Sequence, residues 1–392
     1  MKKKQRIKLR NIARMYFGLI DDQRYSGNVI YSLTDILIIV MCGILCGLDE
    51  LNRIVEYSKS NKKFLNKIFK IQQIPSKATI SRVLSIIDPN MAGMCIVGII
   101  KSIVGKQNKQ HVATDGKCIR ETEKISTISK MMNIVTAYSV NDYISLNQIT
   151  VYEKTNEIPM VPELLNILNI KNTIVSMDAL HCQKNTTKEI VARGGDYVIG
   201  LKENQKMLYD EVKMAYEDVI NSTKPVDREV YSKYEIVEKN RDRNETRIGY
   251  LLKDISWISN KKDWTNLNNV ICIKRVIERN EKVTEELSFY ITSLKDGIQE
   301  IMEHVRKHWH IESMHHILDV TYKEDACGIF SKKAQETLNI FRKLGITFHK
   351  NFLAKTKSRV SVRENMFKCL VDSQFLTKFL NNLEILQTCN NS

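Results

Sequence analysis

Thr173-Ile174-Val175-Ser176-Met177-Asp178-Ala179-Leu180-His181, followed after a short gap by Gly194-Gly195-Asp196-Tyr197-Val198-Ile199-Gly200-Leu201-Lys202, decides the fold class. Thr173 to Met177 is a short apolar run, which reads as a strand covered on both faces and ending at Asp178. Lys184 to Arg193 reads as a helix, Gly194-Gly195 stops it, and Tyr197 to Leu201 is the next strand. Strand, helix and strand with an acid at a strand end indicate an α/β sheet. Upstream, His111 to Thr114 is expected to be a strand ending at Asp115. Met132 to Ser139 and Ile144 to Tyr152 are β-rich runs joined by a turn at Asn141-Asp142, and Pro162 to Ile170 reads as a helix.

The flanks read differently. Residues 1 to about 105 are helical in pattern. Thr34 is placed as the cap of a helix over Ile36 to Leu48, with Gly47 stopping it, and Leu51 to Phe64 follows with mixed charge. Ser76 caps a further helix that shows Lys77, Thr79 and Arg82 near its start. That pattern suits a helix-turn-helix recognition helix, and equally an ordinary capped surface helix. Beyond a helix at 206–222, residues 226–294 alternate as strands do, with a hairpin around Asn280 between Val270–Ile277 and Leu287–Ile291. This block reads as inserted into the α/β domain. From 297 onward the pattern is helical. The expected units are a helical domain at 1–105, a catalytic domain at 106–360 with a β-rich insertion at about 223–296, and a helical tail at 361–392.

The chain has 392 residues, with 60 Lys and Arg against 45 Asp and Glu, a net charge of +15. Such a surplus favours a polyanionic partner, nucleic acid first, because each neutralised phosphate releases counterions. Nine cysteines without a CxxC pair suggest a reducing compartment rather than a disulfide framework. The apolar run from Ile36 to Leu48 is too short to span a bilayer and reads as a buried helix.

Asp115 and Asp178 share one context, an acid after a short apolar strand. Neighbouring strands would bring both to one sheet edge, where α/β proteins bind ligands. Paired carboxylates suit hard cations such as Mg²⁺, although aspartates at strand ends often only cap turns. The third element runs from Arg306 to Val320. Five of the eight histidines lie between 304 and 316, and on a helix His308, Glu312, His315, His316 and Asp319 share one face, with Trp309, Ile317 and Val320 left to pack elsewhere. Three readings stand open at this point: a solvated face, a zinc site, or one carboxylate that joins Asp115 and Asp178. Trp257 and Trp264 are read as the core of the inserted block before any stacking on an unpaired base.

Three ordered motifs resemble a bacterial insertion-sequence transposase family that includes the H-repeat-associated proteins of Rhs elements. The first is Thr114-Asp115-Gly116-Lys117 with Arg120. The second is Val175 to Asn185 with Gly194 to Gln205. The third is His308-Trp309, Ile311-Glu312, Leu318-Asp319-Val320-Thr321 and Glu324-Asp325-Ala326. Asp22, Arg24, Tyr31, Leu33, Pro75-Ser76, Thr79 and Arg82 resemble its N-terminal associated domain, so the likeness runs from about 20 to 360. The resemblance implies a ribonuclease-H-like core preceded by a helical domain. It implies Asp115, Asp178 and Glu312 as the catalytic and metal-holding triad, ahead of Asp319 and Asp325. It also implies two Mg²⁺ ions with Mn²⁺ able to substitute. The chemistry implied is cleavage at element ends and strand transfer into target DNA; the alternative is a silent copy that binds DNA without cutting. Double-stranded DNA, a homodimer on it, and a bacterial cytoplasmic, nucleoid-associated location follow from the same resemblance. Lys117, Arg120, Lys202, Asn204 and His308 beside the acids, and Lys77 and Arg82 in the N-terminal part, are the candidate DNA contacts. Ser313, His316, Gly328, Phe330 and Arg241-Asp242-Arg243 depart from the family pattern, while Glu245 and Arg247 keep it.

Overall fold

A computed structural model describes residues 5–7, 9–25, 27, 29–104, 111–119, 132–151, 158–221, 231–240, 243–279, 282–327, 329, 331–383 and 385–387. Arg120, Arg241, Asp242, Asn280, Gly328 and Phe330 lie outside these.

A short strand β1 (Gln5–Ile7) precedes six helices: α1 (Leu9–Phe17), α2 (Leu33–Leu45), α3 (Leu51–Ser60), α4 (Lys62–Phe69), α5 (Lys77–Ile86) and α6 (Pro89–Val104). The apolar run is α2, buried along nearly its whole length. Its cap is Ser32, whose hydroxyl accepts from the Asp35 N–H at 3.0 Å, rather than Thr34, which lies inside the helix. Gly47 follows at φ +73°, the left-handed position that stops a helix. The segment after it is two helices rather than one, broken at Asn61. Ser76 caps α5 as expected, accepting from the Thr79 N–H at 3.2 Å.

The α/β unit then runs β2 (His111–Ile119), β3 (Met132–Ser139), β4 (Ile144–Val151), α7 (Met160–Ile167), β5 (Ile174–Met177), α8 (Lys184–Ala192), β6 (Asp196–Leu201) and α9 (Lys206–Asn221). The expected helix at Pro162 starts two residues earlier and ends by Ile167, which leaves Pro162 in the first turn, where a missing N–H is harmless. The β-rich block supplies β7 (Tyr231–Asn240), β8 (Arg243–Leu252), β9 (Asn269–Arg279) and β10 (Lys282–Thr292). β9 and β10 form the expected hairpin. This block continues the same sheet, because β10 pairs antiparallel with β6, and the nine strands lie in the order β4-β3-β2-β5-β6-β10-β9-β8-β7. Four helices close the described chain: α10 (Ile298–Val320), α11 (Lys332–Thr356), α12 (Val362–Val371) and α13 (Ser373–Asn382). The end is not wholly helical, since β11 (Ile385–Gln387) pairs with β1.

Alternation along the strands sorts the layers. Val112, Val175, Met177 and Ile199 face a core with Leu164, Leu165, Ile190, Val212 and Tyr216 of α7, α8 and α9. The opposite face carries α10 and α11. There Ile174, Val198 and Ile271 pack on Ile301, Met302 and Val305, and Ala113 and Tyr138 join Ile311, Met314, Leu318, Phe341 and Leu344. That second cluster also takes in the buried residues of α1 to α6 and of α12 and α13, so the N- and C-terminal helices share one core. Among the described residues no single helix is long and apolar enough to cross a membrane.

Candidate active site

Strand register brings the two aspartates level. β2 and β5 run parallel with Thr114 opposite Met177, so Asp115 and Asp178 occupy the next position on each chain. The expectation that β2 ends at Asp115 is corrected: β2 continues to Ile119 because β3 goes on pairing with it, Ile119 opposite Met132. What ends at this level is β5. Its departure opens the sheet beside Asp115, and Asp178 begins the turn that follows.

α10 lies across this opening. Spacing of four, three and four aims His308, Glu312, His315 and Asp319 at one strip of the sheet. His315 Nδ1 is 3.3 Å from Asp115 Oδ2, and the other Asp115 oxygen accepts the Gly116 N–H at 2.9 Å. Burial alone would raise the Asp115 carboxyl. Its bond to His315 and the electrostatic pull of the His315 and His308 rings outweigh that and hold it below the usual range. Glu312 is exposed by surface area, yet partial desolvation and the negative charges of Asp115 and Asp178 push its carboxyl up. Burial pulls the His308 imidazole down, against the opposing pull of Asp115 and Asp178. His181 Nε2 stands 3.8 Å from Asp178 Oδ1, and burial lowers that imidazole too. His316 lies further round α10 and is exposed. Trp309 does not pack inside: it is 53% exposed, with the Arg275 guanidinium 5.7 Å from its ring centre.

Lys117, two residues beyond Asp115 on the same face of β2, is bound inside the protein. Its ammonium meets Asp319, lies 2.8 Å from Glu324 Oε2 and 3.9 Å from Asp325 Oδ1. Glu324 is fully buried and also accepts from Asn339 at 2.9 Å and from Arg342 at 3.3 Å. Both acids that rivalled Glu312 therefore face Lys117. The rest of this strip is polar as well. Thr136, opposite Asp115, and Gln148, opposite Thr136, both bond the buried ammonium of Lys343 at 2.8 and 2.6 Å.

The loop after Asp178 is held from β6. Asn204 donates its side-chain amide to the Ala179 carbonyl at 2.8 Å, and Gln205 donates to the Cys182 carbonyl at 2.8 Å. Gly200 makes the close approach possible, since a Cβ there would stand 3.1 Å from the Ala179 nitrogen. Lys202 is exposed at the end of β6, and Lys77 and Arg82 are exposed on α5. Trp264 is buried, while Trp257 is 37% exposed and donates to the Asp254 carbonyl at 2.9 Å. Glu245 is buried among Arg243, Arg247 and Arg275, which bind it by their guanidinium groups.

Asn204→Ala tests whether this side chain holds the loop or holds DNA. The expected result is an end-cleavage rate lower by about tenfold with little change in duplex affinity, read by single-turnover kinetics and equilibrium binding. A drop confined to affinity would return Asn204 to DNA contact.

The local reading missed Ser176, His111, His181, Glu324 and Arg342. Two of them carried a signal. Ser176 stands two residues before Asp178 and so shares its face of the strand, and Glu324 lies in a quoted motif whose partner, Lys117, is distant in sequence.

Two level aspartates beneath a helix that carries a third acid make a candidate carboxylate site, and comparison with known proteins gives the chain a family. Residues 106–347 match the family model described as Transposase DDE domain, and residues 14–98 match the model described as DDE_Tnp_1-associated. The chain belongs to the DDE transposase family. It is 29% identical over 374 residues to the H repeat-associated putative transposase YhhI of Escherichia coli (strain K12), covering 93% of this chain and 96% of that protein. It is 30% identical over 234 residues to the H repeat-associated putative transposase YbfD of the same organism, covering 59% of this chain and 90% of that one. Among solved structures, a piggyBac transposase synaptic complex with hairpin DNA aligns at a TM-score of 0.45 and 10% identity, over 96% of this chain and 83% of that chain.

Proposed function

We propose that this transposase cuts phosphodiester bonds at the ends of its element and joins the freed 3′-hydroxyl to target DNA, with Asp115, Asp178 and Glu312 as the catalytic acids. The observation that carries the reading is the level register of Asp115 and Asp178, with Glu312 close enough for both charges to raise its carboxyl. The order β4-β3-β2-β5-β6, antiparallel over the first three strands and parallel over the last two joints, supports a ribonuclease-H-like core that β7 to β10 extend. The division into 1–105, 106–360 with an insertion at about 223–296, and 361–392 belongs to the same proposal.

Among the described residues no three acidic, His or Cys side chains stand within reach of a single ion. The donor chemistry nonetheless fits a hard cation. Asp115, Asp178 and Glu312 are oxygen donors, and the Glu312 carboxyl is pushed up by desolvation and then by the charges of Asp115 and Asp178, a repulsion that a divalent ion would relieve. Asp115, Asp178 and Glu312 would hold it, Mg²⁺ or Mn²⁺, in one or two copies. When bound it would neutralise phosphate charge and acidify the attacking water or hydroxyl. The protein's own part is alignment. His315 fixes one oxygen of Asp115, the Asn204 and Gln205 amides fix the loop that carries Asp178, and Lys117 ties β2 to α10 through Asp319.

The surplus of 15 positive charges supports duplex DNA as partner, with Lys202 near the acids and Lys77 and Arg82 on α5 as exposed contacts. His308 feels the charges of Asp115 and Asp178 and is the candidate contact for the scissile phosphate. Lys117 and Asn204 are reassigned from DNA contact to positioning, because their polar groups already have partners inside the protein. A homodimer on DNA in the bacterial cytoplasm completes the proposal.

Incubation of wild type, Asp178→Ala and Glu312→Ala with a labelled terminal-repeat duplex and Mg²⁺ tests it. Cleavage by wild type alone is expected. Equal cleavage by all three would remove the triad assignment, and tight binding without cleavage by any would favour a silent copy.

A further inference from the structure

Ser176 joins two histidines under the acids. Its hydroxyl lies 2.8 Å from His111 Nε2 and 2.9 Å from His308 Nδ1. Ser176 is 1% exposed and His111 is 2% exposed, so both are shut off from bulk solvent. A serine hydroxyl has one proton and two lone pairs. Ser176 is buried, and these two rings are the hydrogen-bond partners of its hydroxyl among the described residues, so between two neutral imidazoles it donates to one and accepts from the other. His111 decides which. Its Nδ1 is buried and makes no hydrogen bond to a protein group among the described residues. A buried N–H without an acceptor is rare in folded proteins, so Nδ1 is the ring nitrogen without a proton. The His111 proton is therefore on Nε2 and is donated to Ser176. Ser176 in turn donates to His308 Nδ1, which leaves the His308 proton on Nε2. Burial keeps His111 neutral, its imidazole pushed down to about 2.

We propose that His111 and Ser176 are positioning residues that fix His308 as its Nε2–H tautomer, a hydrogen-bond donor for a phosphate oxygen of DNA bound at Asp115 and Asp178. The role toward DNA rests on the reading of these acids as the active centre; the tautomer does not. The order of hydrogen bonds runs one way, from His111 through Ser176 to His308. It gives His308 a donor where an unfixed ring would offer a donor or a lone pair. A donor aimed at a phosphate oxygen steadies the charge that grows there during phosphoryl transfer. It also removes His308 Nε2 from the set of metal ligands, since a ligating nitrogen must be bare.

The test uses the full chain labelled with ¹⁵N-histidine. Long-range ¹H–¹⁵N correlation spectra report which ring nitrogen carries the proton, and loss of signals in His308→Gln assigns that ring. Wild type is expected to show a bare Nδ1 and a protonated Nε2. Ser176→Ala and His111→Leu are expected to mix the two tautomers and slow single-turnover end cleavage about tenfold, with duplex affinity unchanged. His111→Gln, whose amide can still donate to Ser176, is expected to restore both. If His111→Leu does not fold, Ser176→Ala, which removes one oxygen, carries the test. A protonated Nδ1 on His308 in wild type overturns the proposal, as does Ser176→Ala with tautomer and rate unaltered. Wild type that shows the Nε2–H tautomer yet never cuts DNA counts against the proposed function, not against this relay.

Discussion

Asp115→Asn is expected to lower end cleavage by at least about a thousandfold while duplex affinity holds or rises. The change removes one negative charge and keeps the shape. Asp115 sits in mid-strand, paired on one side with Thr136 and level on the other with Asp178, so the backbone has no reason to move. Its Gly116 N–H contact can be accepted by an amide oxygen as well as by a carboxylate. What is lost is the charge that Asp115 presents to His315 and, on the proposed reading, would present to a divalent ion. The same loss relieves repulsion of a phosphate backbone, and this sets the sign expected for affinity. Single-turnover cleavage and equilibrium binding, measured on one terminal-repeat duplex at one salt concentration, separate the two effects. Cleavage within a few-fold of wild type would sink the role of Asp115. A loss of affinity matching the loss of rate would place it in binding.

The aspartates were legible because each follows a short apolar run, and their neighbourhood followed from parallel strands. The extent of β2 was not legible, because it depends on β3, a partner outside the local window. Glu312 was one of several polar groups at helical spacing. Family motifs selected it, and the structure supplies a physical reason why Asp319 and Asp325 differ: both face the Lys117 ammonium. Lys117 and Asn204, which the proposed function moves from DNA contact to positioning, looked like DNA contacts for a general reason. A polar side chain beside an acid appears free in sequence when its partner is remote, and here the partners are Glu324 and the Ala179 carbonyl. Alternation revealed the strands of the inserted block. That they extend the central sheet follows only from β10 lying against β6, a pairing between segments about ninety residues apart. The polar face of α10 was correct in outline. His316 leaves it because it falls further round the helix than the four, three, four sequence that reaches the sheet.

Glu324→Gln is expected to destabilise the protein by about 3–5 kcal/mol at neutral pH, the cost of leaving buried Arg342 without its carboxylate and Lys117 with only the partly exposed Asp319 and Asp325. Glu324 is fully buried between Lys117 on β2 and Arg342 on α11, and both cations are themselves buried. An amide keeps the Asn339 contact in one orientation but cannot neutralise two cations. Burial would raise the Glu324 carboxyl, yet the charges of Lys117 and Arg342 bring it down to about 2. Because the folded value lies below the usual carboxylate range, its contribution is fully present above about pH 4.5 and is lost as pH falls through about 2. The difference is worth about 3 kcal/mol. The gap between wild type and Glu324→Gln in urea unfolding should therefore be wide at pH 7, narrow between pH 4.5 and 2, and be nearly closed below. Asp319→Asn supplies the control. Its carboxylate is partly exposed and forms one arm of the same clamp, so a loss of at most about 1 kcal/mol is expected. Equal midpoints for wild type and Glu324→Gln at pH 7, or a gap that does not narrow in acid, would show that Lys117 and Arg342 do not depend on this carboxylate. Where the gap is as expected, Glu324 joins the strand that carries Asp115 to α11 through Lys117 and Arg342, and the Asp319 arm of the same lysine reaches the helix that carries Glu312.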